Sequence, residues 1–300
     1  MSTDPEDAPA RSSRHRFARA MIVIFAVLAV TSAIFLTPAF SPSTKDIDST
    51  PAPVPTPSTT EKALGLVPSV DDGTPAASKT KLAFSDEFNG PALDVSKWNT
   101  GRYAPTTKRD APFNPRLETA YYASSQVTQS DGSVVLTATP STATIAGKTY
   151  DYVSGLIQSE HNFYMTPGTY VEARVKVTTC DGCWGAFWAQ PSNRWPPEMD
   201  IFEFFQPKDR PEFNFHLPSG GETVPMPYGE PNFSYLDQYH VYGLYWDGER
   251  ATPYLDGKPY TTVPAKTDIP MYLIFNLAVF QGHSPAPGST MAIDWVRAWR

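Results

Sequence analysis

The chain has 300 residues, with 24 Lys+Arg against 31 Asp+Glu for a formal net charge of -7, and it is 13% aromatic but only 18% charged. The negative balance, with no Lys/Arg cluster beyond the N-terminus, argues against a nucleic-acid partner and favours a neutral ligand. An aromatic-rich, charge-poor composition suits sheets and sugar-binding surfaces, and the roughly 220 residues beyond the first 80 suffice for one all-β domain with a real core.

Arg11, Arg14, Arg16 and Arg19 precede "AMIVIFAVLAVTSAIFLTPAF", and no charge occurs from Ala20 to Thr44. A basic flank before roughly 17 to 20 apolar residues reads as a long signal peptide or as a spanning helix with its N-terminus inside. The length of the run and the weak small-x-small sites at Ala33 and Ala39 favour an uncleaved anchor. Residues 1–19 are then a cytoplasmic basic N-terminus and 20–40 an apolar helix. Either alternative places the remainder outside the cytoplasm, where disulfides form. Residues 41–81, rich in Pro, Ser and Thr and nearly devoid of aromatics, read as a solvated, extended spacer.

From residue 82 to 300 the pattern changes to short runs of Val, Tyr, Phe and Thr broken by Gly, Pro, Asp and Asn. Strands are expected at "SVVLTATP" from Ser133, "GTYVEARVKV" from Gly168, "CWGAFWAQ" from Cys183 and "EMDIFEFF" from Glu198. Three more follow at "HVYGLYWDG" from His240, "MYLIFNLAV" from Met271 and "TMAIDWVRAWR" from Thr290. "TYVEARVKV" alternates, with Tyr170, Glu172, Arg174 and Lys176 on one face and Val171, Ala173, Val175 and Val177 on the other. "YWDGERATPYLDGKPY" holds two Asp-Gly turns at the spacing of an antiparallel meander. No 3.6-residue period follows the anchor. Many short strands without helices make a sandwich or jelly roll of two antiparallel sheets.

Cys180 and Cys183, in "TCDGCWG", are the only cysteines. With no second pair and no His at ligand spacing, they read as a small disulfide or as two thiols flanking an Asp-Gly turn. In the strand that follows, Trp184, Ala186 and Trp188 share a face and Phe187 lies opposite. If that strand pairs with the acidic one, the tryptophans and the carboxylates line one concave surface.

The acidic strand, "WPPEMDIFEFF", poses a problem of parity. Glu198 and Asp200 share a face of a regular strand, whereas Glu203 falls on the other. A β-bulge absorbing one residue between Asp200 and Glu203 would return the third acid to the first two and turn both Ile201 and Phe202 to the core. Surface acids need no interleaved Met199, Ile201, Phe202, Phe204 and Phe205, and a metal site usually draws ligands from several segments. Three acids crowded in so apolar a strand suit hydrolysis of a glycosidic bond, which needs two carboxyl groups, one of them with a raised pKa.

"EMDIFE" resembles the bulged Glu-x-Asp-x-x-Glu signature of glycoside hydrolase family 16, the laminarinase-like group. "WGAFW" with "WPPEMDIFE", the opening "FSDEFNGPALDVSKWN" and the closing "MAIDWVRAWR" extend the resemblance over about residues 82 to 300. It implies a curved β-jelly roll with an open cleft and retaining, internal cleavage of a β-linked polysaccharide without a catalytic cofactor. By the match Glu198 is the nucleophile, Glu203 the general acid/base and Asp200 the residue that orients Glu198 and tunes the protons of the pair. Trp184 and Trp188 match cleft tryptophans, although this chain has Gly185 where the family often has Pro. Trp195 would flank a subsite or pack the loop, and His216 would reach the cleft near Glu203 or serve as a structural residue. "NPRLETAYY" departs from the family's usual run, leaving Arg116 and Tyr121 as candidate substrate contacts. Glu87 and Asp294 match a structural calcium site in type and place, or are solvated.

The expected protein is thus a monomeric, membrane-tethered endo-β-glycanase, with β-1,3-glucan of the laminarin type as first substrate. Galactan cleavage and transglycosylation are compatible with the same motif, and a non-catalytic glycan-binding module would not require all three acids.

Overall fold

The computed structural model describes residues 81–102, 109–207, 209–218, 220–225 and 234–300, with only the backbone of 222–225. The basic N-terminus, the apolar segment and all but the last residue of the spacer lie outside the described residues.

Short apolar alternations broken by turn residues fold here as strands. In chain order they are β1 (Leu82–Asp86), β2 (Ala120–Tyr122), β3 (Val127–Ser130), β4 (Ser133–Ile145), β5 (Lys148–Ser154), β6 (Leu156–Gln158), β7 (Tyr164–Met165), β8 (Thr169–Val177) and β9 (Cys183–Gln190). There follow β10 (Glu198–Phe205), β11 (Glu212–Leu217), β12 (Gly220–Pro225), β13 (His240–Trp246), β14 (Arg250–Leu255), β15 (Lys258–Pro259), β16 (Val263–Pro264), β17 (Met271–Val279) and β18 (Ser289–Trp299). The helical content of the described residues is one 3-10 turn, Ser124–Gln126.

The strands form two sheets. The larger has the order β15-β14-β13-β8-β18-β4-β5-β2, with β1 on β18, β3 on β4 and β16 on β14. The smaller runs β12-β11-β10-β9-β17-β6, with β7 on β17. Pairing is antiparallel except between β2 and β5, which run parallel. The two Asp-Gly turns close the β13-β14-β15 meander as their spacing predicts.

The facing sides bury one core. Val171, Ala173, Val175 and Val177 of β8 meet Phe187, Ile201, Phe202 and Phe204 of the smaller sheet, and Phe187 stacks on Phe275 with centroids 4.2 Å apart. Each fully buried Phe contributes about 1.5–3 kcal/mol over an exposed one, so β9 and β10 are held by their inward faces and their outward faces are free to carry polar groups.

The outer face of β8 is also buried, contrary to a simple polar-out alternation: Tyr170, Glu172 and Arg174 are nearly inaccessible. Charge pairing makes this tolerable. Arg174 Nη1 donates to Asp294 Oδ2 at 2.8 Å, Tyr170 donates to Glu172 at 2.8 Å, and Arg297 grips Glu87 with two bonds of 2.9 Å. These contacts correct the expectation of calcium at Glu87 and Asp294. Both Glu87 oxygens face one guanidinium, and Asp294 spends one oxygen on Arg174 and the other on the Ser133 hydroxyl at 3.3 Å. Calcium needs six to eight convergent oxygens, and two acids neutralised by separate arginines do not fit it.

Cys180 and Cys183 are joined as a disulfide. The turn they close has Gly182 at φ 72°, a left-handed conformation that glycine adopts without strain. Gln206 ties the turn to the end of β10, accepting from the Cys180 N–H at 2.6 Å and donating its own N–H to the Cys183 carbonyl at 3.1 Å. That contact sets the start of β9 against the acidic strand.

Candidate active site

Register decides where the acids point. Against β11, Asp200 pairs with Asn214 and Glu203 with Glu212, so three steps on β10 oppose two on its partner. Against β9, Asp200 pairs with Trp188 and Phe202 with Phe187, which locates the extra residue at Ile201. Ile201 and Phe202 are both fully buried in the core, so burying two consecutive apolar side chains is what produces the bulge. Glu198, Asp200 and Glu203 consequently share the outer face of the smaller sheet and line one cleft of about 690 Å³.

The neighbours are arranged by the same register. Trp184 Nε1 donates to Glu203 Oε1 at 2.8 Å, and Asn214 Nδ2 donates to Glu203 Oε2 at 2.6 Å. Trp195, 61% exposed on the rim, donates to Glu198 Oε2 at 3.1 Å. Trp188 packs edge-on to Phe113 and donates to Asn276 at 2.7 Å. Trp184 stacks on Phe280 with centroids 4.9 Å apart and leans on Phe205, which gives the Glu203 end of the cleft an aromatic wall. Gly185, on the opposite face of β9, has room for little more than itself: a Cβ there would stand 3.3 Å from the Val177 methyls.

His216 lies directly across from Glu198 in the β10–β11 ladder. Its Nε2 is 3.5 Å from Glu198 Oε1 and 3.6 Å from Asp200 Oδ2, so it attends these two acids and not Glu203, where it was expected. Arg116 and Tyr121 are corrected as well. Arg116 is exposed on a turn outside the cleft, and Tyr121 turns away to the Ser141 hydroxyl at 3.2 Å. Alternation along β2 buries Tyr122 instead, beneath the cleft-lining Glu118 and Asn276, where it donates to Glu118 at 2.8 Å and accepts from Asn276 at 2.9 Å. The arginine of the cleft is Arg102, held over Phe113 at 4.3 Å and bonded to the Pro112 carbonyl at 2.9 Å.

Some of these residues carried a signal in the sequence. Asn214 shares the parity of His216, and Asn276 is the lone polar residue in an apolar nine-residue strand. Arg102 and Glu118 carried none, since they reach the cleft from irregular segments.

Burial dominates the electrostatics. It pushes Glu198 up to about 7, with the charge of Glu203 adding and the Trp195 N–H opposing. Burial, then the negative charges of Glu203 and Glu198, push Asp200 well above the carboxylate range. Glu203 is raised by burial, although the Asn214 and Trp184 donors pull it back. Glu118 is also lifted to about 7 by burial, against its hydrogen bonds from the Asn114 N–H and Tyr122. Crowded, desolvated carboxyls hold protons at neutral pH because full ionisation would place like charges in contact. A cleft with both a proton donor and a carboxylate of raised basicity can perform acid/base chemistry on a bound polymer.

Known proteins resemble this chain in sequence and in fold. Residues 79–300 match the family described as "Beta-porphyranase A-D, GH16 domain". The chain is 27% identical over 240 residues to the endo-1,3-1,4-beta-glycanase EglC of Rhizobium meliloti, covering 72% of this chain and 51% of that protein. It is 29% identical over 267 residues to glucan endo-1,3-beta-glucosidase A1 of Niallia circulans, covering 75% and 39%. The chain thus spans about half or less of the length of these relatives. Among solved structures, the endo-beta-1,3-glucanase of Pyrococcus furiosus superposes with a TM-score of 0.63 at 25% identity, covering 73% of this chain and 94% of that one. The two-sheet fold, the bulged acidic strand and the family match over three quarters of its length agree: the chain belongs to glycoside hydrolase family 16.

Proposed function

We propose that the chain is a retaining, endo-acting β-glycan hydrolase and that its preferred polymer is a β-1,3-linked glucan. The observation that carries this reading is the bulge at Ile201, which returns Glu203 to the face of Glu198 and Asp200. Glu198 attacks the anomeric carbon while Glu203 gives its proton to the departing glycosidic oxygen, so the first product leaves with that proton and the other sugar is held as an ester of Glu198. Water then adds to the anomeric carbon, giving one proton back to Glu203 as the Glu198 ester bond breaks. Asp200 shares a hydrogen bond with Glu203 and keeps a proton within reach of the pair. The half-buried Trp184 and the exposed Trp195 offer apolar faces to pyranose rings, the buried Trp188 and Asn276 shape the floor beneath them, and Arg102 offers donors. Two carboxyl groups suffice for the chemistry, so no cofactor is required.

The names of the glucan-cleaving relatives support the choice of polymer. The family description supports a second reading, cleavage of a porphyran-type β-galactan, against which the net charge of -7 weighs for a sulfated chain. Reducing-end release from laminarin, mixed-linkage glucan, agarose and porphyran separates the readings: laminarin should be cut fastest, and faster cleavage of porphyran would overturn the glucan assignment. Product analysis distinguishes hydrolysis from transfer to a second sugar, and binding of glycans without any release would indicate a binding module.

The same proposal places the domain outside the cytoplasm as a monomer, tethered through residues 20–40 and the 41–81 spacer. The uncharged apolar run and the Cys180–Cys183 bond support the tether and the location outside the cytoplasm. An intact mass of the native protein lacking the first 39 residues would sink the tether.

A further inference from the structure

His216 and two of the acids are arranged in a way that glycoside hydrolysis does not require. Gaps of 3.5 and 3.6 Å from His216 Nε2 to Glu198 and Asp200 are too long for good hydrogen bonds. The ligating atoms of all three residues nonetheless lie within 4.8 Å of one another. Asp200 is only 2% exposed, and its Oδ2, aimed into this space, has no hydrogen-bond partner among the described residues. An unpartnered buried carboxyl oxygen is costly, and a cation entering this space would satisfy it, releasing the acid proton to solvent.

Two ligands held about 2.1 Å from a tetrahedral ion stand about 3.4 Å apart. Both His216–carboxylate gaps therefore match an edge of a tetrahedral coordination sphere better than they match a hydrogen bond. We infer that Glu198, Asp200 and His216 form a binding site for a borderline-soft divalent cation of the Zn2+ class, with the fourth position open to water in the cleft. One imidazole nitrogen with two carboxylate oxygens suits Zn2+ or Cu2+. The set is too small and too nitrogenous for Ca2+ or Mg2+, which want six or more oxygens. His216 is 43% exposed at its side chain, which provides an entry path from the cleft. The consequence for catalysis rests on the proposed hydrolase reading: an ion bonded to Glu198 occupies the attacking carboxylate, so binding inhibits in competition with the polymer.

Calorimetric titration of the full chain with ZnCl2, and separately with CaCl2 and MgCl2, tests the site without reference to activity. One Zn2+ per chain is expected, with no heat from the hard ions. His216→Asn should weaken Zn2+ binding at least tenfold with an unchanged circular-dichroism spectrum. His283→Asn removes the histidine paired with Asp181 at 2.9 Å, away from the acids, and should leave Zn2+ binding unaltered. Equal Zn2+ affinity in wild type and His216→Asn, no binding of ZnCl2 at all, or loss of binding in His283→Asn would each overturn the inference. A chain that binds Zn2+ at His216 but cleaves no glycan would refute the hydrolase reading alone. A chain that cleaves glucan yet neither binds Zn2+ nor is inhibited by it would refute the metal site alone.

Discussion

The two outer faces of this sandwich handle buried carboxylates in opposite ways. On the larger sheet, Asp294 and Glu87 each meet an arginine, Arg174 and Arg297, across bonds of 2.8 and 2.9 Å. On the smaller sheet, Glu198, Asp200 and Glu203 are gathered within one strand, and among the described residues none of them pairs with Lys or Arg. Pairing neutralises the first group and leaves it a structural role. Crowding without a cation forces protons onto the second group, and a proton held near neutral pH is what acid/base catalysis uses.

The largest effect expected from this contrast is on turnover. Glu198→Ala or Glu203→Ala should reduce glucan hydrolysis on the order of a thousandfold or more, with the melting temperature retained or raised. Near-normal turnover in either variant would end the claim that the unpaired face is the chemical one.

Breaking the opposite face should do the reverse. Arg174→Met leaves Asp294, with a side chain 7% exposed, deprived of its cation, and removal of one partner from a buried pair costs about 3–5 kcal/mol. Urea denaturation should show that loss, while kcat/KM of the remaining folded enzyme stays within about threefold of wild type, the span of about 0.7 kcal/mol. A large loss of turnover with unchanged stability would invert the comparison.

The pH dependence of stability sharpens it further. A carboxyl such as Glu198, at about 7 when folded and near 4.3 when unfolded, binds more protons in the native state between those values. Unfolding free energy therefore falls as pH rises from about 5 to about 8. Glu198→Gln removes that titration and should flatten the fall in thermal melts taken across the range. Glu118, lifted in the same direction, leaves a residual slope. Asp200→Asn removes a like charge and should raise the melting temperature at the alkaline end while lowering kcat. Identical melting profiles for wild type and Glu198→Gln would show that the crowding carries no free energy.

The smallest effect belongs to the rim. Trp195→Phe keeps an aromatic face but deletes the 3.1 Å bond to Glu198, a loss of less than about tenfold in kcat/KM. Because that N–H opposes the rise of Glu198, the acid limb of the pH–rate profile should move upward. A downward shift would mean that Trp195 acts on Glu198 through something other than this bond.

How much was legible without coordinates follows from the range of each interaction. β9, β10 and β17 have the ends their sequences predict, because strand period and turn residues act over a few neighbours. The bulge was legible too, since Ile201 and Phe202 cannot both be buried on a regular strand that keeps all three acids together. His216 was read as a cleft residue but assigned to the wrong acid, because its partner depends on the β10–β11 register. Tyr121 is a cleft candidate in the sequence and not in the structure for a similar reason: the parity of a three-residue strand is undefined until its neighbour is known.

By itself, then, the sequence determined the all-β class, the acidic strand with its irregularity, and the aromatic face beside it. Only the tertiary structure decided that Arg102, Glu118 and Asn276 share the cleft floor, that Glu87 and Asp294 answer to arginines instead of calcium, and that His216 stands over Glu198 and Asp200. The first set follows from periodicity along the chain. The second rests on contacts between residues up to 210 positions apart, which packing selects and no local pattern encodes.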